Sequence, residues 1–182
     1  AVKPAAENSH SRVVGVLATP ATFQGALYAS VVERFAQDVT LLQHTCPGLV
    51  GQIEAGELDT PETRRILEDA LLPMLDQGID TVVLGCTHYP FIIPLIETIV
   101  GKDVRVIDPA PAVARQTARL MELNGLRDLD AYWQHDLLHR PPRLRFQTSG
   151  DPRRLEALLP RLLGETGAVE ALSWQNGQLI AL

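Results

Sequence analysis

Thr81-Val82-Val83-Leu84-Gly85-Cys86-Thr87-His88-Tyr89-Pro90 is the stretch of the chain that indicates its fold most directly. The residues before Gly85 are β-branched or apolar, which predicts a short, buried, parallel strand. Gly85 permits a sharp turn and a close approach of a ligand to the backbone, and Pro90 suits the first turn of a following helix. Cys86 and His88 therefore lie on a predicted strand-to-helix turn, where ligands collect in open α/β sheets.

Predicted strands alternate with predicted helices along most of the chain. The strands are expected over 13–18, 39–42, 81–84, 104–107, 144–147 and 169–174. The helices are expected over 21–36, 49–55, 60–76, 91–100, 112–123 and 151–163. Residues 127–142 show no sustained period and are interpreted as a connection. This order predicts an α/β fold with a mostly parallel sheet flanked by helices.

Cys86 and His88 allow a functional and a structural interpretation. A helix N-terminus or a nearby imidazolium lowers the pKa of a cysteine, so that a thiolate base or nucleophile can form near neutral pH. An arbitrary free cysteine is more often a small buried hydrophobe, and a histidine in a turn often only donates to a backbone carbonyl. The coincidence of a buried strand, Gly85, Cys86 and His88 favours function.

Composition excludes several classes of protein. The 182 residues carry a formal net charge of −6, which argues against nucleic acid as a primary partner because phosphate binding needs a concentrated basic face. Two cysteines do not indicate a secreted disulfide scaffold, and the histidines lack the spacing of metal ligands, so no metal site is predicted. No apolar run is long enough to span a bilayer, and the first residues show no signal-peptide pattern.

Four segments together resemble motifs of the glutamate racemases. They are 15–22, a strand with a threonine-rich turn; 46–56, a loop and helix carrying a glutamate; 85–90, the second-cysteine motif; and 107–110, the exit from the second domain. The resemblance extends over about residues 1–165 and weakens after Leu126. It implies that residues 1–108 form the second racemase domain, and that residues 109–182 return to pack on a first domain.

The resemblance implies a cofactor-independent inversion at the α-carbon of glutamate by two cysteines on opposite faces of the substrate. Two bases are required because a single base that returned the proton to the same face would regenerate the same enantiomer. A thiol matched to neutral pH can serve as base and as acid in turn. On this pattern Cys86 is the base toward L-glutamate, His88 is its acid–base partner, and Glu54 assists His88. Without the family pattern, Glu54 would be interpreted as a solvated helix carboxylate.

The same resemblance implies substrate-binding residues. Thr87, His88 and the backbone around them would bind the charged groups of glutamate. Thr19 and Thr22 either hydrogen-bond a substrate carboxylate or act only at the start of a helix, as threonines in strand-to-helix turns often do. The sequence leaves these two interpretations of Thr19 and Thr22 open.

One departure from the family pattern is large. The motifs that carry the first racemase cysteine do not occur in the chain, and residues 1–5 resemble the linker into the second domain, so the chain is expected to be a fragment that lacks an N-terminal part. Cys46 is the only other cysteine. It is interpreted as structural or close to the substrate rather than as the second base, and a disulfide with Cys86 is not expected.

A fragment of this kind would have further properties. Apolar positions in the last predicted helix are expected to be partly uncovered, which promotes self-association, for example as a homodimer. These positions are Leu155, Leu158, Leu159 and Leu162. The family implies a role in peptidoglycan synthesis and a cytoplasmic location. The alternatives are a racemase for another acidic amino acid, or an inactive binding or regulatory remnant.

Overall fold

The computed structural model of the 182-residue chain describes residues 1–126 and 144–181. The described residues form two compact units, Ala1–Val113 and Ala114–Leu182. The connection predicted over 127–142 lies outside the described residues. In the described ranges, no helix combines the length and the apolar character needed to cross a membrane.

The first unit contains a four-stranded parallel sheet with the strand order β2-β1-β3-β4. Its strands are β1 (Val13–Ala18), β2 (Thr40–His44), β3 (Thr81–Gly85) and β4 (Arg105–Ile107). Its helices are α1 (Val2–Asn8), α2 (Pro20–Gln24), α3 (Ala26–Phe35), α4 (Leu49–Glu54), α5 (Pro61–Asp76) and α6 (Ile93–Val100), and α7 (Ala110–Leu123) crosses into the second unit. The predicted α/β fold with a parallel sheet flanked by helices is confirmed.

The two faces of this sheet are buried against different helices, because side chains alternate along a strand. On one face, Val14, Val16 and Val83 pack with Ala5 of α1 and are almost completely buried. On the other face, a β-carbon added at Gly15 would lie 2.9 Å from the sulfur of Met74 in α5, so helix and sheet approach closely there. Burial on both faces explains why β1 and β3 read as continuous apolar runs.

Two predicted helices have the capping residues that the sequence indicates. Thr60 caps α5 by accepting a hydrogen bond from the backbone N–H of Thr63, and Gly56 follows α4 with a φ of 75°, as its predicted C′ position requires. The single helix predicted over 21–36 is wrong, because Gly25 has an extended backbone that ends α2 and precedes α3. Leu27, expected on the buried face of that helix, is 78% exposed.

The helix predicted over 91–100 also differs from the structure. Tyr89–Ile92 forms one turn of 3₁₀ helix, and the α-helix begins only at Ile93. The tighter turn contains Pro90, which has no N–H to donate and suits a first turn. It moves the start of regular helix away from Cys86.

The second unit contains a three-stranded sheet with the strand order β5-β6-β7. Its strands are β5 (Phe146–Thr148), β6 (Val169–Gln175) and β7 (Gln178–Ala181), and its helix α8 (Pro152–Leu162) lies against β5 and β6. β5 and β6 are parallel, whereas β6 and β7 form an antiparallel hairpin. The expectation that Leu159 is uncovered is wrong, because this residue is only 2% exposed, while the other three leucines of that set are half-buried.

The sequence prediction missed β7. Asn176 and Gly177 both have positive φ, at 51° and 79°, as a type I′ hairpin turn requires. Asn-Gly between two apolar segments is the sequence signal for such a turn. This signal was present in the chain.

Candidate active site

The candidate active site lies where β1, β2 and β3 end at the same edge of the parallel sheet. Ala18 at the end of β1 is paired with Gly85 at the end of β3, so Thr19 and Cys86 continue from neighbouring positions. His44 at the end of β2 is paired with Leu17 on the other side of β1. Three connecting turns therefore begin at one edge, which is the usual place for a ligand in such sheets.

Cys86, His88 and Glu54 form a chain of polar contacts. The Sγ of Cys86 lies 3.8 Å from Nδ1 of His88, and Nε2 of the same imidazole lies 3.0 Å from Oε1 of Glu54. Cys86 is half-buried, and the side chains of His88 and Glu54 are 33% and 55% exposed. The structure thus brings together all three residues that the sequence analysis assigned to catalysis.

The order of these contacts determines which atoms can exchange protons. An ionised carboxylate can only accept hydrogen bonds, so Glu54 favours the form of His88 that donates from Nε2. In the neutral imidazole this leaves Nδ1 as an acceptor facing the sulfur of Cys86. His88 can then accept a proton from the Cys86 thiol, while Glu54 orients the ring and stabilises an imidazolium.

The predicted binding residues occupy the adjacent turns. The hydroxyl oxygens of Thr19 and Thr22 lie 3.1 Å apart, and the Thr22 hydroxyl is 3.5 Å from the carbonyl oxygen of Gly85. Thr19 stands at the N-cap position of α2, but its side chain makes no capping hydrogen bond. Thr87 is exposed at the turn between Cys86 and His88.

Cys46 lies in the neighbouring turn after β2 and has a different environment. It is 2% exposed, and its Sγ is 3.5 Å from Nδ1 of His44. Burial, and secondly the charge of a Cys86 thiolate, raise the pKa of the Cys46 thiol to about 12. A thiol with so high a pKa is protonated at neutral pH.

Tyr89 and Thr45 were not predicted as part of the site. The Tyr89 hydroxyl is completely buried and donates a hydrogen bond to the backbone carbonyl of Thr45, 3.3 Å away. Burial raises the pKa of Tyr89, and negative charge on Cys46 or Cys86 would raise it further. The sequence offered only an aromatic residue at a helix start, which is typical of a core position.

Within residues 1–126 and 144–181, no group of three His, Cys, Asp or Glu side chains is placed to hold a metal ion. The described site is therefore a set of thiol, imidazole, carboxylate and hydroxyl groups. These groups are suited to acid–base and thiol chemistry.

Comparison with known families gives the site its context. The model of the Asp/Glu/Hydantoin racemase family matches residues 1–117, which include every residue of the site described above. The chain belongs to this racemase family.

Individual relatives in the family are glutamate racemases. The chain is 47% identical over 171 residues to the glutamate racemase of Ectopseudomonas mendocina and 47% identical over 170 residues to that of Stutzerimonas stutzeri, each match covering 93% of this chain. In both comparisons the chain spans only 61% of the length of the relative.

Solved racemase structures agree with the fold. Glutamate racemase RacE1 of Bacillus anthracis superimposes with a TM-score of 0.73 at 28% identity, covering 93% of this chain and 60% of the other. The Francisella tularensis glutamate racemase gives a TM-score of 0.70 at 27% identity, covering 89% and 58% of the two chains.

Proposed function

We propose that this chain carries one catalytic half of a cofactor-independent glutamate racemase, in which Cys86 exchanges the α-proton of glutamate. The observation that supports the proposal best is the contact chain from Cys86 through His88 to Glu54 at the edge of the sheet. A base, its proton acceptor and a group that orients the acceptor are the parts that thiol-based proton transfer requires.

The proposed step is a single proton transfer. The Cys86 thiolate removes the α-proton of L-glutamate, so that an S–H bond forms, the C–H bond breaks, and the electron pair remains on the α-carbon beside the carboxylate. His88 forms the thiolate beforehand by taking the thiol proton, and Glu54 stabilises the resulting imidazolium. In the opposite direction the Cys86 thiol donates its proton to the same face of the carbanion.

Inversion also needs an acid on the opposite face of the α-carbon. Cys46 is poorly suited to this role, because it is buried and its thiol pKa is raised to about 12. The chain spans 61% of the length of its curated relatives. We infer that the second acid–base residue belongs to the part of the racemase that these 182 residues do not span.

The proposed substrate is glutamate. The Francisella tularensis relative was solved in complex with D-glutamate, and the Escherichia coli glutamate racemase, at 25% identity and a TM-score of 0.72, in complex with L-glutamate. Thr19, Thr22 and Thr87 lie at the same sheet edge as Cys86 and offer hydroxyl donors for carboxylate oxygens.

The wider setting follows from the same proposal. D-glutamate made by such an enzyme would serve peptidoglycan synthesis in the cytoplasm, with neither nucleic acid nor membrane as a partner, and a homodimer remains the proposed assembly. We further infer that residues 1–108 are the second racemase domain, and that residues 109–182 pack on the first domain of the full-length enzyme.

The experiment that tests the function is α-proton exchange in deuterated water, followed by proton NMR of L-glutamate and D-glutamate. We expect exchange of L-glutamate that is lost in Cys86→Ser and kept in Cys46→Ala. L-aspartate serves as the competing substrate. Exchange that survives in Cys86→Ser would contradict the proposed base.

Two other outcomes are equally informative. Faster exchange of aspartate than of glutamate would assign the chain to another acidic amino acid. Saturable binding of glutamate without any exchange would indicate a binding protein rather than a catalytic half.

A further inference from the structure

We propose that Tyr89 is a positioning residue that fastens the Cys86 turn to the Cys46 turn and thereby holds Cys86 in its working geometry. This inference rests on the proposed role of Cys86. It concerns a residue whose described hydrogen bonds go to backbone carbonyls of the two turns, so its effect on Cys86 would be transmitted through the backbone.

Tyr89 contacts both turns at once. Its backbone N–H donates to the carbonyl of Cys86 at 3.3 Å, and its side-chain hydroxyl donates to the carbonyl of Thr45 at 3.3 Å. The first contact closes the turn that carries the proposed base. The second joins that turn to a residue 44 positions away in the sequence.

The hydroxyl group needs an explanation that packing does not give. Tyr89 is completely buried, and a phenylalanine ring would fill the same space without the cost of removing a hydroxyl from water. A buried tyrosine hydroxyl therefore needs a hydrogen-bond partner that offsets this cost. Its partner, the Thr45 carbonyl, precedes the most unusual backbone conformation of the site.

That conformation is at Cys46, whose φ of 45° lies in the left-handed region that non-glycine residues rarely adopt. Such a conformation persists only where the surrounding contacts hold it. Three hydrogen bonds do so: Tyr89 to the Thr45 carbonyl, the Cys46 N–H to Nδ1 of His44 at 3.1 Å, and the Leu49 N–H to the Cys46 carbonyl at 3.1 Å.

The two turns are joined at a second point. Glu54 at the end of α4 contacts His88 at 3.0 Å, so the segment 45–54 is tied to the Cys86 turn near both of its ends. The Glu54 contact is exposed, whereas the Tyr89 contact is part-buried, with the tyrosine itself completely buried. Because a hydrogen bond shielded from solvent competes less with water, the Tyr89 hydroxyl is the more persistent of the two connections.

The test compares Tyr89→Phe with Tyr28→Phe. Tyr28 is a matched control, because its hydroxyl also takes part in one hydrogen bond, accepting from Gln43 at 3.0 Å, within the same unit but on α3. Two readouts are measured on the full 182-residue chain. One is labelling of the buried Cys46 by iodoacetamide, resolved by peptide mass spectrometry, and the other is the kcat and KM of glutamate α-proton exchange.

We expect Tyr89→Phe to accelerate Cys46 labelling roughly two- to tenfold, the range that corresponds to the loss of one neutral hydrogen bond. We expect kcat to fall by a similar factor, roughly two- to tenfold or more, while KM changes less than about twofold. Misplacement of a base affects the transition state rather than substrate binding. Tyr28→Phe should leave both readouts unchanged.

Three outcomes would overturn the inference. Unchanged Cys46 labelling would show that the hydroxyl does not fasten the turns, whether or not the chain is active. Faster labelling with an unchanged kcat would reduce Tyr89 to a structural role. A wild-type chain without any exchange would remove the proposed function and with it the catalytic part of this inference, while the labelling result would still decide the fastening.

A measurement on the wild-type chain covers the case in which Tyr89→Phe does not fold. If Tyr89 couples the two turns, the backbone amides of Cys46 and Tyr89 should open together and show similar hydrogen-exchange protection. A difference in protection larger than about tenfold, equivalent to about 1.4 kcal/mol, would mean that the turns open independently.

Discussion

The turns after β2 and β3 contain the same two reactive residue types and place them in opposite environments. Around the end of each strand lie a cysteine and a histidine two positions apart: His44 is the last residue of β2 and Cys46 follows it, whereas Cys86 and His88 both follow β3. Cys46 is buried, whereas Cys86 is half-exposed. A cysteine two positions from a histidine is therefore not by itself a reactive pair, because burial and backbone geometry determine what the thiol can do.

The histidines differ as much as the cysteines. Nδ1 of His44 accepts the backbone N–H of Cys46, so its ring is used to support the turn. His88 has its own Nδ1 directed at the sulfur of Cys86, and its other nitrogen is held by Glu54. A carboxylate partner at the far side of the ring is therefore the feature that separates the proposed catalytic pair from the structural one.

The strongest contrast between the two turns should be in thiol reactivity. At pH 8, iodoacetamide should label Cys86 at least about 100-fold faster than Cys46 in the native protein, because a buried thiol with a pKa of about 12 supplies almost no thiolate. Peptide mass spectrometry measures both rates in one sample. In urea the two rates should become similar, and similar rates in the native chain would remove the distinction between the turns.

Alkaline pH should reveal the burial of Cys46 as a loss of stability. The pKa of the Cys46 thiol is raised in the folded state. The stability that comes from burying this thiol in its neutral form is therefore fully present below the unfolded pKa of about 8.5, and it is lost as the pH rises toward about 12. Between pH 8.5 and 10.5, the wild type should lose up to about 1.4 kcal/mol of unfolding free energy per pH unit more than Cys46→Ala. Urea unfolding measures both proteins, and parallel pH profiles would show that Cys46 is not buried in solution.

Glycine-to-alanine substitutions should introduce a different kind of strain in each of the two turns. A β-carbon at Gly85 would lie 2.8 Å from that of Ala18, so Gly85→Ala should cost about 1–3 kcal/mol through overpacking. Gly48 has a φ of 87°, and an added β-carbon would lie 3.5 Å from Cδ1 of Ile66, an ordinary contact, so Gly48→Ala should cost about 1 kcal/mol through backbone strain alone.

Gly51 provides the control for these two substitutions. It lies inside α4 with no atom within 4 Å of an added β-carbon, so Gly51→Ala should be neutral or stabilising by about 0.5–1 kcal/mol. Thermal or urea unfolding measures all three variants. Equal costs at Gly85 and Gly51 would mean that the Cys86 turn is not packed closely against β1.

A kinetic effect smaller than the contrast in thiol reactivity tests the carboxylate partner of His88. Glu54→Gln keeps the shape of the side chain but removes its charge, so α-proton exchange should fall about tenfold, less than the loss of an acid–base group itself. Glu57→Gln is the control, because Glu57 is an exposed carboxylate just beyond α4. Equal activity of the two variants would show that His88 does not need the Glu54 charge.

The sequence predicted the parallel sheet well, because burial on both faces produces apolar runs that need no knowledge of neighbouring elements. Val13–Ala18 was predicted to the residue, and α5 began at its capping residues. The break at Gly25 was not predicted, because the residues on either side of it show one continuous helical pattern.

The same distinction applies to the site. The motif around Cys86 and its family resemblance led to the prediction of Cys86, His88 and Glu54 as catalytic residues, and the structure brings these three into one contact chain. Tyr89 could not be predicted as part of the site, because its partner is the backbone carbonyl of Thr45. A backbone acceptor is present at every position of every sequence and leaves no compositional signal.

Local patterns of residue type were enough to predict the parallel sheet, the cysteine turn at its edge and the resemblance to racemases. Three features became visible only in the folded chain: Cys46 is buried with a raised pKa, Glu54 reaches His88 across 34 positions, and the Tyr89 hydroxyl joins the two turns. Burial and hydrogen-bond partners depend on which distant segments pack together. The order of residues in a single segment does not contain this information.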